Sequence, residues 1–265
     1  MPILLPEDYK YKLPKMYTVH QDFPKDHLEN PEKVLRESLA CEEIYSLVKP
    51  GMKVAVAVGS RGITGICQIV KMTIDYLKEL GAKPFIVSAM GSHGGGTKEG
   101  QREVLTGYGI TEEAMGVPIV TGTDTVDLGV NADGNHVWFD RAAYESDLIV
   151  PINRVKLHTD FIGELQSGLC KMLVIGLGNQ KGCSAAHETD FCKFSNMLEE
   201  SARLIIEKAP IGFGIAIMEN AFDETCHLEA IPAQRMIARE KELVKLCVEK
   251  MPYIQVKKAD IVIVE

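Results

Sequence analysis

Apolar residues recur along this chain with two alternating periods, and the alternation outlines a fold. Asn30-Pro31 sets a capping side chain before a proline in a first helical turn. Val34, Leu35, Leu39, Ile44 and Leu47 then recur at helical spacing up to Pro50-Gly51, which predicts one helix. Lys53 to Val58 is a short valine-rich run, and Ile66, Ile69, Val70, Thr73, Ile74 and Leu77 follow on one helical face until Gly81. The same order returns with a strand-like Phe85 to Ala89, the glycine-rich loop GSHGGGT at 91–97 and a helical 98–106. Two consecutive βα units predict an α/β fold: a parallel or mixed sheet with helices on both faces, because parallel neighbours are reached only by crossovers that pack on the sheet.

Thr125 to Val130 and His136 to Phe139 flank Ala132-Asp133-Gly134-Asn135, where Asp-Gly supplies the positive φ of a tight turn, so an antiparallel hairpin is expected. Asp147 to Ile152 reads as a buried strand, followed by the polar RVKLHTDF and the Gly-containing GELQSGLCKMLVIGLGNQKG. Phe191, Phe194, Leu198, Ala202 and Ile205 mark a long amphipathic helix. Gly212 to Met218 predicts a strand, Pro232 to Lys250 a helix and Ala259 to Val264 a last strand. Residues 1–29 have no clear period, with a strand expected around Met16 to His20. No linker or repeat divides the chain, so one α/β domain over 1–265 is expected, and the stop at Glu265 directly behind a predicted strand reads as the edge of a longer protein.

Composition narrows the class. With 46% hydrophobic and 25% charged residues, the chain has the make-up of a folded globular protein rather than a disordered one. The 29 basic against 37 acidic residues give −8, and no Lys/Arg cluster forms a footprint for a row of phosphates, so no nucleic-acid partner is expected. No apolar run reaches the ~18 residues of a membrane span, and MPILLPEDYKYK reverses the charge order of a signal peptide. A cytoplasmic protein without a membrane partner is expected. The seven cysteines are odd in number and form no CxxC pair, which argues against a disulfide frame and a structural zinc site.

Three loops stand where α/β folds place their sites, at the carboxyl ends of strands. In the first, Arg61 lies among small residues between Val58 and a helix start, suited to clamping a carboxylate or phosphate. In the second, His93 precedes Gly94, Gly95 and Gly96; the glycines let backbone amides approach a ligand, and a His there can move protons near neutral pH. This loop is neither GxGxxG nor a P-loop. The third region crowds His158, Lys171 and His187 into thirty residues behind one buried strand. A buried Lys can act as a nucleophile or an attachment point, and a neutral imidazole suits nickel, zinc, copper or iron.

Arg61, His93, His158, Lys171 and His187, in that order and at these separations, resemble the N-terminal domain of the nickel-pincer lactate racemase family, over nearly the whole chain. Lys171 and His187 stand sixteen residues apart, at the two ends of KMLVIGLGNQKGCSAAH, and this spacing is the most specific part of the likeness. The chain departs from the family pattern in having Val58 three residues before the Arg, and Gly94-Gly95 after His93. The resemblance implies a 2-hydroxy acid racemase or epimerase that works by hydride transfer. It further implies a pyridinium-derived mononucleotide with two sulfur arms, carried on Lys171 through a thioamide beside Gly94 and Gly95, whose nickel takes His187 as its protein ligand. His93 and His158 would be the bases for opposite enantiomers, Arg61 would hold the substrate carboxylate, and a C-terminal domain outside this chain would close over the site. Two other classes stay open: an α/β cofactor- or anion-binding module, which needs only ordered amides, and a metal-dependent hydrolase, which needs three protein ligands and an open position.

Overall fold

A computed structural model of the chain describes residues 5–12 and 15–264. Met1 to Leu4, part of the segment weighed against a signal peptide, and the terminal Glu265 lie outside the described residues. In chain order the elements are α1 (Pro31–Leu39), α2 (Glu42–Tyr45), β1 (Lys53–Val58), α3 (Ile66–Glu79), β2 (Lys83–Ser88), α4 (Lys98–Gly107), α5 (Glu112–Met115), β3 (Ile119–Val120), β4 (Thr125–Val130), β5 (His136–Asp140), α6 (Arg141–Tyr144), β6 (Leu148–Arg154), α7 (Leu169–Lys171), α8 (Asn179–His187), α9 (Phe194–Lys208), β7 (Phe213–Glu219), β8 (Thr225–Pro232) and α10 (Ala233–Lys250). All of them belong to one compact unit, Pro24–Pro252.

Six strands form a sheet in the order β3-β2-β1-β6-β7-β8, every pair parallel except the last. Strands β4 and β5 pair antiparallel as a separate two-stranded sheet, the hairpin that Asp133-Gly134 announces. Strand periodicity divides the core in two. Val54, Val56 and Val58 of β1, Leu148, Val150 and Ile152 of β6, and Phe213, Ile215 and Ile217 of β7 point to one face, where they meet Leu35, Leu39, Ile69, Ile74 and Leu77. Ala55, Ala57, Ile149, Ala216 and Met218 point to the other, against Leu169, Leu173, Leu198, Ile205, Met236 and Leu243. Alternation thus buries both sheet faces under helices, which is why the strands read as nearly unbroken apolar runs.

Some expectations fail for identifiable reasons. Met16 to His20 and Ala259 to Val264 form no strand: Tyr17 is 82% and Val264 78% exposed, and neither segment has a ladder partner among the described residues. Both fall in a second unit within Met1–Phe23 and Tyr253–Glu265, held by contacts such as the Phe23–Tyr253 edge-to-face pair at 6.3 Å and a 2.7 Å bond from the Gln255 amide to Gln21. The helix expected over 30–48 is two, because Cys41 is extended (ψ 139°) between α1 and α2. Strand β8 went unpredicted, since Cys226, His227 and Glu229 break the apolar alternation. Among the described residues, no helix is long and apolar enough to cross a membrane.

The Gly-rich stretch after β6 is helical. Segment α7 runs through a π-helical turn, Met172–Gly176, into α8. Glycine is required at its entrance, because a Cβ on Gly168 would lie 2.5 Å from the carboxylate of Glu240 on α10. That carboxylate is fully buried, and its Oε2 accepts the Cys170 N–H at 2.9 Å while Oε1 has no partner. Burial pushes the Glu240 carboxyl up to about 7. The folded state therefore favours the protonated acid, a contribution present in full below the ordinary carboxyl value and lost as pH rises toward 7. Chemical denaturation at pH 4.5 and pH 8 should show a fall of about 3 kcal/mol attributable to this group, absent in Glu240→Gln. Parallel pH profiles for the two proteins would contradict it.

Candidate active site

Parallel β1, β2 and β6 are neighbours in the sheet, with β1 between the other two. The chain leaves β1 toward β2 on one side and returns to β6 on the other, so the carboxyl ends of β1 and β6 frame a topological switch point, where open α/β sheets hold their ligands. A cleft of about 280 Å³ opens there, and Arg61, His93, His158, Lys171 and His187 all line it. Arg61 comes from the loop after β1, His93 from the loop after β2 and His158 from the loop after β6. Lys171 ends α7, and His187 is the last residue of α8. Gly94 and Gly95 do not line the cleft. They build the turn beneath His93, with φ of +65° and +64°, and a Cβ on Gly94 would meet the Gly100 and Gln101 backbone at 2.7 Å.

The three imidazoles are held differently. His93 Nδ1 bonds the Ser60 hydroxyl, while the Tyr108 hydroxyl donates to the Ser60 carbonyl at 2.6 Å and ties that loop down. Burial, then the charges of Arg61 and Lys171, lower the His93 pKa. His158 stacks on Phe161 at 4.2 Å between centroids, and its Nδ1 accepts the Asp160 N–H at 3.2 Å. The neutral His158 ring therefore carries its proton on Nε2. Burial and the Lys171 charge lower its pKa too, against the opposing pull of Asp160. His187 Nδ1 lies 2.7 Å from the Cys183 carbonyl oxygen. A carbonyl only accepts, so Nδ1 bears the hydrogen and Nε2 keeps a free lone pair.

Lys171 is half-buried with its ammonium 5.8 Å from the Phe161 ring centroid. Burial, and then repulsion from Arg61 and Lys156, bring its pKa down from 10.5 to about 8. The aromatic wall of Phe161 and Phe194, 4.8 Å apart, joins His158 to His187, whose ring is 5.4 Å from Phe194. Sequence reasoning missed Ser60, Phe161 and Cys183 as wall residues. Ser60 could have been found as the small polar neighbour of Arg61, whereas Phe161 and Cys183 carry no signal apart from tertiary contact. Beside β6, Glu219 at the end of β7 accepts the Thr64 N–H at 2.6 Å and pairs with Arg154, which anchors the Arg61 loop to the sheet.

The sequence pattern of the family described as Lactate racemase N-terminal domain matches residues 4–198. A comparison with curated proteins finds no match. Among solved structures, the lactate racemase apoprotein from Thermoanaerobacterium thermosaccharolyticum superposes with a TM-score of 0.61 at 13% sequence identity, over 84% of this chain and 58% of that one. The chain thus shares the fold of that protein and spans little more than half its length.

Proposed function

The chain belongs to the Lactate racemase N-terminal domain family, and on that premise we propose that it is an isomerase interconverting the enantiomers of a 2-hydroxy acid or a related hydroxy compound. One observation carries the reading: Arg61, His93 and His158 from three strand-end loops, and Lys171 and His187 from the helical stretch of α7 and α8, line one cleft at the switch point of the sheet. Inverting a carbinol carbon needs the carboxylate held while either face of the carbon is presented, and a proton acceptor for each orientation of the hydroxyl. Arg61, exposed at the rim of the cleft, would hold the carboxylate by a forked pair of hydrogen bonds. The lowered pKa values of His93 and His158 keep both rings neutral near pH 7, the state in which imidazole exchanges the hydroxyl proton.

The cleft residues also fit the family's nickel-pincer mononucleotide. Lys171, with its pKa of about 8, is partly a neutral amine at neutral pH and so can form the thioamide. His187 offers nickel a free Nε2 whose partner nitrogen is fixed by the Cys183 carbonyl, the usual arrangement for a ligating imidazole. When bound, the cofactor would supply the hydride acceptor that the side chains lack. With nickel brought in on the cofactor's own sulfur donors, His187 would be the one imidazole the protein has to supply. The hydrolase reading is less favoured, because among the described residues no three His, Cys, Asp or Glu side chains gather into a metal-holding group.

Protein produced together with the cofactor-making enzymes should convert one enantiomer of a 2-hydroxy acid into the other, followed by chiral chromatography, and should keep a deuterium label at the carbinol carbon. Failure to interconvert any of a panel of 2-hydroxy acids, with cofactor and nickel verified in place, would overturn the reading. Loss of the label to solvent would replace it with simple proton abstraction.

A further inference from the structure

The turn that presents Lys171 is held from behind the cleft. Helix α7 starts at Gly168, which has no side chain to cap it, and the first N–H groups of a helix have no partner within it. A carboxyl group reaching across from α10 fills that place: Oε2 of Glu240 accepts the Cys170 N–H at 2.9 Å, one residue before Lys171. The approach is so close that a Cβ on Gly168 would collide with the carboxylate. From the other side Asn153 of β6, on the cleft wall, donates its side-chain amide to the Gly168 carbonyl at 2.7 Å. The first turn of α7 is thus gripped between the sheet and α10. The next residue of α10, Lys241, bonds Glu164 at 2.8 Å and so ties down the loop that carries His158.

Stability does not explain a carboxyl group here. Glu240 is fully buried, and its Oε1 has no partner among the described residues. A leucine would fill similar space without burying a polar group, and replacing buried charge by packed apolar side chains is often neutral or stabilising. What leucine lacks is an acceptor for the Cys170 N–H, whereas the acid and the carboxylate both keep an oxygen for that bond. We propose that Glu240 is a positioning residue for Lys171: through the Cys170 amide it fixes the first turn of α7, so that the amine keeps the half-buried place in the cleft from which it reacts. That Lys171 carries the cofactor rests on the racemase reading, whereas the grip on its turn stands on these contacts alone.

The test is labelling of the unloaded chain with trace acetic anhydride, read peptide by peptide by mass spectrometry across the pH range of lysine titration, in the parent, Glu240→Gln and Glu240→Leu. Glutamine offers the same N–H an amide oxygen, so Glu240→Gln should keep Lys171 acetylation within about twofold of the parent. Glu240→Leu should release the turn and let water reach the amine, which moves the half-point of Lys171 acetylation up by about one pH unit and slows it at pH 8 by about fivefold, while exposed lysines keep their rates. If Glu240→Leu does not fold, Gly168→Ala, whose methyl group pushes the carboxylate aside, should show the same change. An unchanged Lys171 profile in folded Glu240→Leu, or in Gly168→Ala where the leucine variant does not fold, would overturn the assignment, and so would a glutamine variant as impaired as the leucine one. A cofactor mass increment on a lysine other than Lys171 would count against the racemase reading of that residue alone.

Discussion

Replacing either His158 or His93 by alanine lowers interconversion in both directions by about 10²- to 10⁴-fold, the usual range for losing a general acid-base group, because the residue that takes the hydroxyl proton from one enantiomer returns it to form that enantiomer in the reverse direction. The expectation of two opposed partners follows from the cleft, to which the loops after β2 and β6 bring one imidazole each from either side of β1. Their hydrogen bonds are unlike. The Asp160 amide fixes the proton of neutral His158 on Nε2, whereas His93 shares its Nδ1 with a hydroxyl that can donate or accept. Both pKa values lie below the ordinary imidazole value of 6.5, so the acid limb of the kcat/KM profile should fall below that pH, with the rate rising through it and level at neutrality. Binding through Arg61 should persist in both variants, which separates a lost proton acceptor from a lost site. Unchanged turnover of both enantiomers in either variant would refute the assignment of two bases.

The α/β frame was legible because β1, β2 and β6 are buried on both faces and carry apolar residues at nearly every position. The loops that follow them were legible as sites for the same topological reason. What was hidden depends on contacts between distant segments. The Lys171 segment reads only as glycine-rich because its glycines serve close packing: Gly168 admits the carboxylate of Glu240 from the distant α10, and a Cβ on Gly176 would strike the Ala89 carbonyl at 2.8 Å. Gly94 and Gly95 have positive φ values in the turn that carries His93, a backbone need that the sequence shows only as a run of glycines. The Ile- and Val-rich tail at 259–264 has the composition of a strand, but among the described residues no segment pairs with it.

The largest effect belongs to Lys171. Lys171→Arg should leave the fold intact and abolish covalent loading, since a guanidinium keeps the charge but stays protonated and is no nucleophile. His187→Ala should separate the two functions, retaining the adduct on Lys171 while nickel measured by elemental analysis falls to a small fraction of the parent's. In the unloaded chain, reaction of Lys171 with a small amine-directed acylating reagent should be half-maximal near pH 8, because burial and the Arg61 and Lys156 charges favour the neutral amine. Exposed lysines should reach that point only near pH 10. Full loading and activity in Lys171→Arg would remove the lysine from its role, and nickel retained at parental levels in His187→Ala would remove the histidine.

The most direct measurement is peptide mass mapping of the chain produced with and without the cofactor-making enzymes. A mass increment confined to the peptide containing Lys171, present only in the co-produced sample and absent from Lys171→Arg, is the predicted result. An increment on another lysine, or no covalent increment in a preparation that still interconverts the enantiomers, would contradict it.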